Sequence, residues 1–247
     1  MLQAVTFDLW QTLLLDPAEN LRRAREARVR GIADLLAGGG HAVSVEAVDR
    51  AYDRAGERLE AVWQTHADVG PHGQVRWMLE SLGLNGGIPD HGPLMDSLEA
   101  AYCQPILSFM PHANHGAGEL LAALRGRGLS LGLICNTGRT PGKMLRLVLD
   151  RLGLAPHLSV LTFSDEVGLR KPHPEIFRRT LEGLGVAPSD AVHIGDDVTT
   201  DIAGARGIGM RAVHLCHATS ATPTPDAVEA VPTLVAFRDL LLAPEGR

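Results

Sequence analysis

Apolar positions along this chain follow two different periods, and the change from one to the other divides it. Ala4 to Phe7 is apolar except for Thr6 and is ended by Asp8, the pattern of a strand buried in a sheet. From about residue 16 to 110 the spacing turns helical. Asp16-Pro17-Ala18-Glu19 predicts a helix start, with Asp16 as N-cap and Pro17 as first helical residue. Leu21, Ala24, Val29, Ile32 and Leu35 form the stripe of that helix, and Gly38-Gly39-Gly40 stops it near Leu36. Ser44 opens a second helix that runs to about Trp63. Residues 72–83 and 93–108 carry two more helical patterns, and no strand pattern interrupts the stretch.

After Pro111 strands and helices alternate. The pattern predicts a helix over 117–127, a strand over 129–135, a helix over 142–152 and a strand over 158–163. It continues with a helix over 174–184, a strand over 191–194, a helix over 200–206 and a strand over 211–215. Residues 217–231, rich in Ala, Thr and Pro and close to low complexity at 219–225, read as a loop before a closing helix over 234–242. Such alternation implies βαβ units and an α/β fold with a doubly wound, Rossmann-like parallel sheet. The expected organisation is a core of residues 1–15 and 111–247 with a helical insert at 16–110.

Composition narrows the function. A hydrophobic content of 45% in 247 residues supports a sizeable core. The net charge of −6 argues against a general nucleic-acid binder. No run approaches the roughly 18 apolar residues of a membrane span, and the first strand begins too near Met1 to leave room for a signal peptide. Cys103, Cys135 and Cys216 are odd in number and far apart, which predicts reduced thiols in a cytoplasmic protein. Of 23 basic residues only Lys143 and Lys171 are lysines.

The candidate chemistry lies at strand ends. Asp8 closes the first strand, and Asp196 and Asp197 close the strand at 191–194. Carboxylates at the carboxyl edge of an open α/β sheet occupy its usual ligand site. If the two edges adjoin, the gathered negative charge calls for a hard cation such as Mg2+.

Four ordered segments carry a resemblance: Asp8-Leu9-Trp10-Gln11-Thr12, Ile134-Cys135-Asn136-Thr137, Lys171-Pro172-His173-Pro174, and Gly195-Asp196-Asp197 followed by Asp201. They resemble the four motifs of the haloacid dehalogenase superfamily, and the insert sits where that family carries an α-helical cap. The resemblance implies Asp8 as nucleophile, forming an aspartyl intermediate. It implies Mg2+ held by Asp8, the main-chain carbonyl of Trp10 and Asp196, with Asp197 as a further ligand. Lys171 supplies a compact positive charge where a forked guanidinium would crowd the site, and Asp201 orients either Lys171 or the metal shell. Thr12, Cys135, Asn136 and Thr137 are the expected substrate contacts, Asn136 serving catalysis too.

Two positions depart from the family pattern. Cys135 stands where phosphatases of the family carry Ser or Thr, and a thiol is a weak donor. Trp10 stands where most of them carry a second Asp, which protonates the leaving oxygen and activates water. An indole cannot replace positioned acid–base catalysis, a contribution of roughly 10²–10⁴-fold. Three explanations follow: an acid borrowed from the insert (or from His112 or His115 at the return from it) or substrates with good leaving groups; a metal-free 2-haloacid dehalogenase; or a weak phospho-ligand binder. The expected activity is a Mg2+-dependent phosphatase acting on a small phosphorylated metabolite, as a monomer or homodimer. An arginine such as Arg22 or Arg25 is the candidate to grip an anionic substrate.

Overall fold

The computed structural model describes residues 1–216 and 229–243. Its main sheet has six strands: β1 (Ala4–Phe7), β4 (Ser130–Cys135), β5 (Val160–Phe163), β6 (Ala191–Gly195), β7 (Arg211–Leu215) and β8 (Glu229–Val231). Their order is β5-β4-β1-β6-β7-β8, and every pairing is parallel. A two-residue pair, β2 (Leu14–Leu15) with antiparallel β3 (His112–Ala113), closes the base of the insert. The helices are α1 (Ala18–Gly38), α2 (Val45–Trp63), α3 (Pro71–Ser81), α4 (Pro93–Cys103), α5 (Ala117–Gly126), α6 (Gly142–Arg151), α7 (Ser164–Val167), α8 (Pro174–Leu184), α9 (Ala203–Gly207) and α10 (Leu234–Leu242).

Both faces of the sheet are covered, as a parallel sheet requires. Leu120, Leu124, Leu145, Leu149 and Phe237 pack on one face, and Ile176, Phe177, Leu181 and Ala205 on the other. The insert has its own cluster, in which Ile32, Leu36, Val48, Met78, Leu98 and Tyr102 are buried together. The chain leaves β1 toward β4 on one side and reaches β6 on the other. β1 is therefore the switch point of the sheet, and its carboxyl end faces the ligand crevice of open α/β folds. No helix among the described residues is long and apolar enough to cross a membrane.

Several boundaries differ from the sequence pattern. Asp16 does not cap α1: Pro17 takes the cap position with extended backbone, and no side chain bonds to the helix end. The helix expected at 93–108 ends at Cys103, because Pro105 has no N–H to continue it, and residues 104–107 tighten into a 3₁₀ turn. The expected helix at 200–206 is preceded by a wide turn over 198–202, where the Asp197 carbonyl accepts from both Asp201 and Ile202. Of the expected loop at 217–231, residues 217–228, including the 219–225 stretch, lie outside the described residues. Residues 229–231 form the edge strand β8, too short to show a period.

One side of the insert is tied to the core by main-chain bonds. Asp68 N–H donates to the Gly168 carbonyl at 3.0 Å, and Arg170 N–H donates to the His66 carbonyl at 2.8 Å. Between them the buried Asp68 carboxylate pairs with Arg170 at 2.8 Å, and Arg170 lies over the Trp63 ring, 4.0 Å from its centroid. Gln74 of α3 donates to the Gly138 carbonyl at 3.1 Å.

Candidate active site

Parallel register brings the charged strand ends together. Thr6 pairs with His193, Phe7 with Ile194, and Asp8 N–H donates to the Ile194 carbonyl at 2.9 Å. Asp8 and Asp196 thus emerge from neighbouring strands. Carboxylate oxygens of Asp8, Asp196 and Asp201 all lie within 4.8 Å of one another. Lys171 reaches this cluster from the loop before α8, its Nζ 2.6 Å from Asp8 Oδ1 and 2.6 Å from Asp201 Oδ1. All three of these side chains are buried.

Asn136 fixes where the lysine starts. Its Nδ2 donates to the Lys171 carbonyl at 3.0 Å, and its Oδ1 accepts from Lys171 N–H at 2.8 Å. Asp201 is fixed from behind. Its Oδ2 accepts from Asp197 N–H at 3.1 Å, and Oδ1 lies 3.3 Å from His193 Nε2. Because the carboxylate can only accept, Nε2 carries the proton, which leaves His193 Nδ1 to accept from the Thr6 hydroxyl at 2.9 Å. A chain from Thr6 through His193 and Asp201 to Lys171 and Asp8 results. Gly195 makes room for it: a Cβ there would fall 2.3 Å from the Asp201 carboxyl carbon.

The two ends of that chain differ electrostatically. Burial acts to raise the Asp201 carboxyl, but Lys171 and His193 outweigh it and hold the group well below the usual carboxylate range. Burial pushes Asp8 up to about 7 against the pull of Lys171, with repulsion from Asp201 and Asp196 adding to it. Burial, and next Asp201, push Asp196 up to about 6. Burial pulls the Lys171 ammonium down, yet its two carboxylates more than offset this and leave it raised. Asp8 Oδ2 is buried with no hydrogen-bond partner. A buried acceptor beside two further carboxylates fits a hard divalent cation, whereas both oxygens of Asp201 already accept hydrogen bonds.

The remaining expected residues fall in different places. Trp10 packs partly buried against the core and lines the cavity described next. Asp197 is not in the carboxylate cluster; its Oδ1 accepts from Thr199 and Thr200 N–H at 2.8 and 2.7 Å, which turns it toward the helix start. The Cys135 side chain is in the core, and burial raises its thiol well above the ordinary value. Thr137 is buried, and its Oγ1 bonds to Ser164 and Asp68. Thr12 is buried, its hydroxyl without a partner. Arg22 and Arg25 pair with acidic neighbours, Glu19 and Glu26 for the first, Asp49 and Asp53 for the second. Sequence reasoning missed His193, although a histidine inside an apolar strand invites a search for a buried partner. It also missed Asp68, whose partner Arg170 is 102 residues away.

Beside the cluster lies a cavity of about 680 Å3 between the sheet edge and the insert, bordered by Trp10, Asn136, Tyr52 and Phe109. Asp16 is the one carboxylic side chain lining it among the described residues, and its Oδ1 is buried without a partner. Burial raises this carboxyl, with Arg28 and His112 opposing the shift.

Comparison with known proteins gives the family and the fold. Residues 2–209 match the family model of haloacid dehalogenase-like hydrolases. The chain is 34% identical over 163 residues to a phosphoserine phosphatase of Thermus thermophilus, a match covering 63% of this chain and 62% of that one. It is 30% identical over 217 residues to a ribulose-1,5-bisphosphate 5-phosphatase of Halopiger xanaduensis, covering 86% and 84%. The chain thus spans less than two thirds of the first relative's length. Among solved structures, a 2-haloacid dehalogenase from Pseudomonas syringae superposes with a TM-score of 0.67 at 23% identity, over 98% of both chains, a likeness of fold.

Two outcomes follow from the charge arrangement. Asp8 and Asp196 have folded-state pKa values above the ordinary 3.8, so between about pH 4 and 7 the folded state holds more protons than the unfolded one. Their contribution therefore falls as pH rises through that window, while that of Asp201, shifted the other way, is lost only as pH falls below it. A divalent cation bound at this cluster would take the place of those protons, and the test is that the rise in melting temperature on adding Mg2+ is larger at about pH 7.5 than at about pH 5. Gly195→Ala will displace the Asp201 carboxyl and lower stability by about 1–3 kcal/mol in urea unfolding.

Proposed function

The chain belongs to the haloacid dehalogenase-like hydrolase family, and we propose that it is a Mg2+-dependent phosphatase acting on a small phosphorylated metabolite. The observation that carries this reading is the unpartnered Oδ2 of Asp8, buried beside Asp196, next to strand-end residues Trp10 and Asn136 that line a cavity large enough for a metabolite. In this reading Asp8, Asp196 and the main-chain carbonyl of Trp10 would hold the ion, while Asp197, turned to the helix start, would not. When bound, Mg2+ neutralises charge on the phosphate and separates it from the carboxylates. The phosphatase names of the two relatives support the substrate class.

The protein's own groups divide the remaining work. The Asp8 carboxylate attacks phosphorus, the bond to the substrate oxygen breaks, and water later cleaves the aspartyl phosphate. Lys171, held by Asn136 and Asp201, fixes the attacking carboxylate and faces the phosphoryl oxygens with positive charge. Thr12, Thr137 and the loop around Asn136 bind the phosphate. The leaving oxygen needs a proton that Trp10 cannot give. Asp16 supplies it: its raised carboxyl lines the cavity and has an oxygen free to donate once protonated. Residues 16–110 act as a cap over a core of 1–15 and 111–247, excluding water during transfer. The free thiols of Cys103 and Cys135 support a cytoplasmic setting.

Hydrolysis of p-nitrophenyl phosphate in the presence of Mg2+ tests the reading. EDTA or Asp8→Asn will abolish turnover; chloride release from 2-chloropropionate, insensitive to EDTA, would establish the metal-free dehalogenase instead. Asp16→Asn will lower kcat about 10²-fold or more on alkyl phosphates, with a smaller loss on p-nitrophenyl phosphate, whose leaving group needs no proton. Equal losses on both would remove Asp16 from the acid role.

A further inference from the structure

Five arginines line the cavity, and they are not alike. Arg22, Arg25 and Arg170 each pair with carboxylates. Arg28 and Arg139 form no ion pair among the described residues. Arg28, on α1, is only 4% exposed. Its Nε donates to the Tyr102 carbonyl at 2.7 Å and its Nη2 to the Thr140 hydroxyl at 3.0 Å. Arg139, on the loop after β4, donates from Nη1 to the Tyr102 hydroxyl at 2.9 Å and from Nη2 to the Tyr52 carbonyl at 3.1 Å. Its guanidinium lies over the Tyr52 ring, 4.0 Å from the centroid.

Burying a cation without an anion is unfavourable. Here two guanidinia are carried by one buried residue, Tyr102, through neutral oxygens that fix their positions without cancelling their charge. Each guanidinium has five N–H donors, and the named bonds use two of them on each side chain. Asp16, the carboxylate whose titration Arg28 influences, forms no ion pair with it. The packing is also built around Arg139: at Gly56, inside α2, a Cβ would fall 2.2 Å from its Nη2. A glycine inside a helix is unfavourable, and this one leaves the space the guanidinium fills.

We propose that Arg28 and Arg139 form a second oxyanion subsite, so that the substrate is a phosphate monoester carrying a further carboxylate or phosphate on its leaving portion. This rests on the phosphatase reading for the reacting end of the molecule; the subsite itself rests on the two unpaired guanidinia. Arg28 comes from α1 and Arg139 from the loop after β4; both bond to Tyr102, and both line the cavity that Trp10 and Asn136 also line.

The test uses the full chain with Mg2+ and matched substrates. 3-Phosphoglycerate is compared with glycerol 3-phosphate, and fructose 1,6-bisphosphate with fructose 1-phosphate; the first pair reports a carboxylate partner, the second a phosphate partner. In at least one pair the doubly anionic member will have a kcat/KM about tenfold or more above the other, mostly through KM. In Arg139→Gln that ratio will fall toward one, and Arg139→Lys will restore part of it. Equal kcat/KM within both pairs in the wild-type protein, or a ratio unchanged by Arg139→Gln, overturns the subsite while leaving the phosphatase reading intact. If no phosphate ester is hydrolysed, the phosphatase reading falls, and the melting temperature of Asp8→Asn decides the subsite separately. A rise with 3-phosphoglycerate or fructose 1,6-bisphosphate that exceeds that of the matched monoanionic ester and is lost in Asp8→Asn/Arg139→Gln supports it; no such rise overturns it.

Discussion

One ammonium group shared by two buried carboxylates organises the catalytic edge of this protein. Lys171 stands 2.6 Å from both Asp8 and Asp201, but only Asp201 has further hydrogen bonds to stabilise its charge. The lysine is thereby anchored on one side and leaves the other carboxylate poorly satisfied. Asp196 adds negative charge that no second lysine balances. Buried charge in this proportion is destabilising unless a cation enters, and the same imbalance leaves one oxygen of Asp8 buried without a hydrogen-bond partner. Stability is lowered locally, at the place where reactivity is wanted.

Much of this edge was legible in the sequence because strand ends and their carboxylates are local signals. Asp8 after an apolar run, the pair Asp196-Asp197, and a lysine in an arginine-rich chain all stand out without knowledge of the fold. What could not be read is which carboxylate turns inward. Asp197 and Asp201 are both plausible by spacing; the wide turn over 198–202 points the first at main-chain N–H groups and brings the second beneath Gly195. His193 was hidden because its partner Thr6 is set by strand pairing, a relation between residues 187 positions apart. Asp16 was misread for a different reason. Its sequence neighbours make a good capping signal, yet Pro17 in extended conformation takes that place and leaves the carboxyl at the cavity wall.

The insert reads well as four helices and poorly as a binding surface. Its arginines look interchangeable along α1, spaced to lie on several faces. Only packing separates Arg22 and Arg25, neutralised by α1 and α2 carboxylates, from Arg28, which is buried against Tyr102. Trp10 has the same duality: in the sequence it is a missing acid, and in the fold it is part of an aromatic wall with Tyr52, Trp63 and Phe109. The loss of one proton donor and the gain of an apolar surface are the same substitution.

The main-chain bonds between residues 66–68 and 168–170 fasten the helical stretch to the sheet along one margin. Lifting the helices squarely off the sheet would expose the buried Asp68–Arg170 pair to separation, whereas tilting about that margin keeps it whole. The Arg28–Thr140 and Arg139–Tyr52 bonds cross between the same two parts of the chain, so whatever loosens the helices from the sheet has to break them too.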